Sequence, residues 1–311
     1  MKKMPLVVLF GPTASGKTSL AVEIARLIDG EVVTADSMQV YKYMNIGTAK
    51  PTLDEMKGIP HHLIDIVEPD ENYSLSQYAE AAHNCIREVV SRGKIPVMAG
   101  GTGLYIDTVV QNISLSEEVR DETYRKELMA YSEANGNEQL MEKLRKVDAE
   151  SAERLHLNDT KRIVRALEVF KATGIPQSEH IRRSKEKESP YEAYKFCIMP
   201  SDREKLYDRI NLRVDLMFEA GLLDEVRMLY DKGIDERYTS MQGIGYKEVL
   251  DCFRGKCDLE IAKENIKQST RRYAKRQVSW FKREENTLIL PMENEKKLEI
   301  FQKHMEMLKV L

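Results

Sequence analysis

Residues 11–18 read Gly-Pro-Thr-Ala-Ser-Gly-Lys-Thr, a Gly-x4-Gly-Lys-Thr spacing. In such a loop successive backbone N–H groups turn inward around an anion, and the following helix adds the partial positive charge of its first turn. Gly11, Pro12, Thr13, Ala14, Ser15, Gly16, Lys17 and Thr18 are therefore candidates for holding a diphosphate or triphosphate, with Lys17 on the terminal phosphate and the Thr18 hydroxyl set to hold Mg²⁺. Whether the phosphate is passed on or departs depends on a second acid. An ATP-hydrolysing enzyme of this class holds its metal with a carboxylate at the end of a nearby strand. The apolar run in 94–105, "KIPVMAGGTGLY", ends instead in glycines and a threonine. The strand-end acid is Asp36, in "EVVTAD". By residue type it is a metal-side acid, a base for an incoming nucleophile, or a cap on the turn it shares with Ser37.

These groups need elements to carry them. "PLVVLF" (5–10) reads as a buried strand entering the loop, and "TSLAVEIARLI" (18–28) as the helix leaving it. Residues 31–36 read as a second strand, 75–93 as a helix stopped by Gly93, and 94–105 as a third strand running into a second glycine turn. Strands alternating with helices predict an α/β fold: a parallel sheet with helices on both faces. From 114 to 195 the texture is helical and charged, so we expect a helical insertion domain between core segments 1–113 and 196–311. Residues 182–190, "RRSKEKESP", are the expected mobile linker, and 201–232 and 259–283 read as two long helices.

Hydrophobic residues make up 42% and charged residues 32% of 311, which fits a packed globule. No long apolar run or secretory leader is present, so no membrane association and a cytoplasmic location are expected. The four cysteines form no C-x-x-C pair, which argues against a zinc knuckle or a disulfide framework. His61 and His62 lack a third ligand at metal spacing and are expected to shape a loop. A net charge of −3 argues against a purely electrostatic nucleic-acid binder and leaves room for local basic stripes.

"GPTASGKT", "ADSMQVY", "GGTGLY" and "RALEV", with "IPHHLID", "RVDLMFEAGLLDEV", "QGIGYKE" and "KRQVSWFK", together resemble the tRNA dimethylallyltransferases of bacterial type, in order from about residue 6 to residue 283. The resemblance implies a P-loop NTPase-like core and transfer of a dimethylallyl group. The donor would be dimethylallyl diphosphate, and the acceptor the exocyclic amine of the adenosine 3′ to the anticodon in a tRNA anticodon stem-loop. The loop would then hold a leaving diphosphate, with Mg²⁺ as cofactor. Thr13 would hydrogen-bond the bridging oxygen, and Arg213 would clamp charge from a second element. Asp36 would orient the amine and take its proton. The chain is expected to act as a monomer. Alternatives are a prenyltransferase for free adenine nucleotides, a small-molecule kinase, or a non-catalytic RNA-binding switch.

An adenine must leave its stack to react. Ser37, Met38 and Gln39, beside Asp36, are placed to read the base, with Thr102 at the same sheet edge. Residues 263–283 carry eight Lys/Arg against one Glu. Ile266, Tyr273, Gln277 and Trp280 fall near one helical face, and Lys267, Arg271, Lys275 and Lys282 fall on another. Lys275 and Arg276 are the candidate RNA contacts there. Lys161, Arg162 and Arg165 add a second basic helix, and Gln242, Gly243, Gly245 and Lys247 a glycine bend able to approach ribose-phosphate.

Overall fold

The computed structural model describes residues 3–113, 121–184 and 187–308. Six strands, β1 (Met4–Phe10), β2 (Gly30–Ala35), β3 (His61–His62), β4 (Ile95–Gly100), β5 (Tyr191–Met199) and β6 (Thr287–Pro291), form one sheet in the order β3-β2-β4-β1-β5-β6. Every pairing is parallel. Parallel strands buried on both faces need continuous apolar sequence, and Leu6 to Phe10 is buried throughout. Successive side chains point to opposite faces. Val7, Leu9, Val32 and Val97 cluster with Leu20, Ala21, Ile24 and Ala25 of the helix α1 (Lys17–Leu27). Helix α2 (Leu53–Met56) follows, and then α3 (Leu75–Ser91) packs on β2 and β4, where the Tyr78 hydroxyl donates to the Thr34 carbonyl at 3.1 Å. Helix α4 (Gly103–Val110) begins directly after the second glycine turn.

The chain divides into two units, Met1–Val109 with Pro190–Leu311, and Val110–Ser189. The second unit holds α5 (Glu122–Asn135), α6 (Asn137–Val147), α7 (Ala149–Arg154), α8 (Thr160–Thr173) and α9 (Gln177–Ser184). Its own core joins Leu128, Leu140, Leu144, Ile163, Val164 and Leu167. Glu168, 2% exposed, accepts a bidentate pair from Arg125 at 2.9 and 2.8 Å. The boundary expected at 195 falls inside β5, because Tyr191 and the residues after it pair with β1 from Met4 onward. Of the linker expected at 182–190, residues 182–184 close α9 and residues 185–186 lie outside the described residues.

The remaining helices belong to the first unit: α10 (Arg203–Glu219), α11 (Leu222–Asp231), α12 (Tyr246–Phe253), α13 (Leu259–Phe281) and α14 (Lys297–Met307). The single helix expected over 201–232 is two, because Gly221 adopts φ +99° and turns the chain. That turn delivers Glu225. Its carboxylate, in a residue 8% exposed, accepts backbone N–H bonds from Asn45, Ile46 and Gly47 at 2.8, 2.8 and 3.0 Å, and the Tyr246 hydroxyl at 2.6 Å. The "EAGLLDEV" and "GIGYKE" stretches thus meet at one loop. Replacing Glu225 with Ala strands three amide donors, and leaving buried donors unsatisfied costs about 3 kcal/mol in total. The expected outcome is a lower urea midpoint with an unchanged m-value, read by circular dichroism.

Candidate active site

The C-terminal ends of β1, β2 and β4 place the phosphate loop, Asp36 and the second glycine turn at one edge of the sheet. Ligands of open α/β sheets bind at that edge. In the loop Gly16 takes φ +88° as it opens α1. Lys17 Nζ donates to the Pro12 carbonyl at 2.6 Å. Burial, and then the Arg213 guanidinium, push this ammonium down to about 7, while Asp36 and Cys197 act in the opposite direction. An ammonium this easily discharged is a cation awaiting an anion. Thr18 is exposed, and its side chain borders the cleft along with Ser15, Gly16 and Arg209.

Arg213 projects from α10 to the loop, its Nη1 donating to Thr13 Oγ1 at 3.4 Å. Burial lowers its pKa, yet a guanidinium stays charged. Asp36 Oδ1 accepts from the N–H of Met38 at 2.9 Å and Gln39 at 3.3 Å, so one oxygen does cap the turn. The other oxygen has no hydrogen bond among the described residues. Thr13, Asp36, Arg213 and Tyr273 line both a small cavity of about 90 Å³ beside Lys17 and a larger one of about 300 Å³. The larger one has apolar walls of Met38, Ile210, Val214, Met217, Ile244 and Ile266. Thr13, Asp36, Arg213 and Arg276 add polar groups to the same lining.

The other sequence candidates divide by position. Ser37, Met38, Gln242, Gly243 and Arg276 line the larger cavity. Gln39 lines the smaller one, its Nε2 tied to the Thr48 and Ala49 carbonyls at 3.2 Å each. Thr102 lines neither: its hydroxyl accepts the Ser37 N–H at 3.1 Å and so buttresses the Asp36 turn. Gly245 opens α12 at φ +100°, and Lys247 is exposed on that helix. Lys275 is exposed on α13. Lys161 and Arg162 are exposed on α8 and Arg165 is half-buried, all three within the second unit. The basic stripe on α13 is smaller than expected. Lys267 pairs with Asp215 at 2.7 Å, and Arg271 donates to Asn211 at 2.6 Å and to Glu264 at 2.9 Å, so both tie helices together.

Four contributors lack a sequence signal strong enough to single them out. Gln277 and Tyr273 stand on the helical face that also carries Ile266 and Trp280, where a glutamine among apolar neighbours is the one hint. His61 was read as loop-shaping. Its Nδ1 lies 2.9 Å from the Ile59 carbonyl, and its Nε2 is buried without a protein partner in a residue lining the smaller cavity. Burial lowers its pKa. Arg209 stands one turn before Arg213, its Nη2 3.6 Å from where a Cβ at Gly16 would sit.

An anion in the loop must raise the Lys17 pKa, so binding takes up a proton whenever the free lysine is neutral. Affinity for inorganic pyrophosphate should therefore fall as pH rises above about 7, approaching tenfold per unit. Pyrophosphate titrates too, so the measurement is the difference between wild type and Lys17→Arg, whose charge is constant. Parallel calorimetric pH profiles for the two proteins would refute the assignment.

A family model described as IPP transferase matches residues 39–284. A tRNA dimethylallyltransferase of Acetivibrio thermocellus is 49% identical over 281 residues, covering 90% of each chain. One from Lachnoclostridium phytofermentans is 46% identical, covering 92% of this chain and 91% of the relative. The crystal structure of the full-length tRNA isopentenylpyrophosphate transferase from Bacillus halodurans superposes with TM-score 0.74 at 42% identity, over 99% of this chain and 97% of that one. A eukaryotic dimethylallyltransferase acting on tRNA gives TM-score 0.82 at 30% identity, over 97% and 78%. With the phosphate loop, the Asp36 turn and the apolar cavity at one sheet edge, these likenesses establish that the chain belongs to the IPP transferase family, whose members here are tRNA dimethylallyltransferases.

Proposed function

We propose that this protein transfers a dimethylallyl group from dimethylallyl diphosphate to the exocyclic amine of the adenosine 3′ to the anticodon in tRNA, releasing diphosphate. The observation that carries this reading is the shared lining of the two cavities: Thr13, Asp36 and Arg213 border both the phosphate loop and an apolar chamber. A phosphate chemistry alone has no use for that chamber, whereas a five-carbon apolar group does.

In the reaction the amine nitrogen forms a bond to the first carbon of the donor as the carbon–oxygen bond to diphosphate breaks. The electron pair of that bond leaves with the diphosphate. Negative charge grows there, and the loop amides, Lys17 and Arg213 form a preorganised positive cradle for it. Thr13, held against Arg213, offers its hydroxyl to the bridging oxygen. An aryl amine is a weak nucleophile, so a carboxylate that orients it and accepts its proton has a large effect. Asp36 has one oxygen occupied by its own turn and one open, which suits that task.

Among the described residues no cluster of three His, Cys, Asp or Glu stands ready to hold a metal. The Thr18 hydroxyl, at the start of α1 and exposed to the cleft, is the donor that would hold a Mg²⁺ on the diphosphate; bound there the ion would neutralise leaving-group charge. Ser37, Met38, Gln39, Gln242 and Gly243 would surround the extruded base. Lys275 and Arg276, and Lys161, Arg162 and Arg165 of the second unit, would meet the RNA backbone, together with Gly245 and Lys247, while Thr102 would support the base-reading turn through the Ser37 amide. The protein would act as a cytoplasmic monomer. No helix among the described residues is long and apolar enough to cross a membrane.

The direct test is incubation with radiolabelled dimethylallyl diphosphate, Mg²⁺ and unmodified tRNA, scoring label in RNA; label absent from RNA while ATP is turned over without donor would point to a kinase. Asp36→Asn keeps an oxygen for the Met38 and Gln39 amides and removes the base. It should lower kcat about 10²–10⁴-fold with tRNA affinity preserved, and wild-type turnover would remove Asp36 from the mechanism. Lys275→Glu with Arg276→Glu should weaken tRNA binding and flatten its dependence on salt in filter-binding titrations. Unchanged binding would mean that this face of α13 meets only water.

A further inference from the structure

Thr13 and Gly101 lie on separate loops, after β1 and after β4, and both turn a backbone group toward α13. The Thr13 N–H donates to Gln277 Oε1 at 2.8 Å, and Gln277 Nε2 donates to the Gly101 carbonyl at 2.8 Å. Gln277 is 5% exposed. Both bonds fix the same amide: a carbonyl can only accept and a backbone N–H can only donate, so its two ends cannot exchange. A side chain at 101 would collide with it, since a Cβ there would lie 2.5 Å from Gln277 Nε2. One turn earlier on the helix, Tyr273 lines the smaller cavity with Gln277, and next to Gly101 the Thr102 hydroxyl holds the Ser37 amide beside Asp36.

Most amides of a phosphate loop serve the anion. The Thr13 amide does not: it is taken by the protein. That bond sets the Thr13 peptide plane, and with it the direction of the side chain whose hydroxyl meets Arg213 at 3.4 Å. We infer that Gln277 is a positioning residue, which holds the Thr13 hydroxyl at the reacting bond by capturing the Thr13 backbone N–H while anchored on Gly101. It acts through Thr13: where it lines the smaller cavity, its amide is committed to the Thr13 N–H and the Gly101 carbonyl. The inference rests on the prenyl-transfer reading above.

The consequence is a specific pattern of effects. Removing Gln277 frees the Thr13 peptide to rotate, and a misplaced reacting group costs up to about 10²-fold in turnover. Affinity for inorganic pyrophosphate and for tRNA should stay within about threefold, since the amides from Ala14 to Thr18 and the RNA surface are untouched. Because Gln277 acts through Thr13, its loss should add little once the Thr13 hydroxyl is gone.

The test is a double-mutant cycle in full-length protein over Thr13→Ala and Gln277→Ala, with Gln277→Met as a second variant that keeps length and packing without the amide. Label transfer to tRNA gives kcat, and calorimetry gives pyrophosphate and tRNA affinities. We expect each Gln277 variant to lose kcat in the wild-type background by about 10²-fold and in the Thr13→Ala background by less than about threefold. Multiplicative losses in the two backgrounds would overturn the inference, as would a fall in pyrophosphate affinity that matches the fall in kcat. A wild-type protein that transfers no label would instead defeat the prenyl-transfer reading, and this inference with it.

Discussion

Parallel strands all finish on the same side of a sheet, and the peptide groups just beyond those ends cannot be satisfied by the sheet itself. In this protein that shortage is concentrated where β1, β2 and β4 end side by side. The chain meets it in three ways. The loop after β1 gives its Thr13 amide to Gln277 and is built to offer others to an anion. The turn after β2 points two amides at Asp36. The turn after β4 hands a carbonyl to Gln277 and a hydroxyl to Ser37. The site is the place where backbone polarity left over by the sheet is matched partly from within and partly left open.

The same economy explains why helices distant in sequence converge there. Helix α10 brings Arg213, and α13 brings Tyr273, Arg276 and Gln277. Lys263 and Lys267 of α13 hold Asp215 of α10 at 2.8 and 2.7 Å, which locks the two helices that supply the clamp and the strut. Charges that looked available for RNA are thus spent on framework. Arg276, with Tyr273 under its guanidinium at 5.7 Å, remains at the cavity mouth.

Legibility in the sequence followed the range of the interactions. The phosphate loop, β1, α1 and β2 were readable because a strand, a glycine loop and an amphipathic helix are local patterns. Asp36 was readable as a strand-end acid, though sequence could not say that it caps its turn and faces the cavity with separate oxygens. Arg213 needed a family likeness, because an arginine on a helix has no local mark. Gln277 escaped notice as a site residue: its two bonds reach 264 and 176 positions away. Apolar periodicity continues across Gly221 and hides the break there, and β6 is a short strand in a charged context without a local signature.

The carboxylate of Glu225 fills a cup of three backbone amides at residues 45–47, and Asn45 and Ile46 border the same cleft as the phosphate loop. Two anion-receptive hollows would otherwise open onto one entrance, and a small, highly charged molecule could lodge in either. With one stoppered by the protein's own side chain, an anion arriving at that cleft finds the 45–47 amides already spoken for, and the amides of the phosphate loop are left to compete for it.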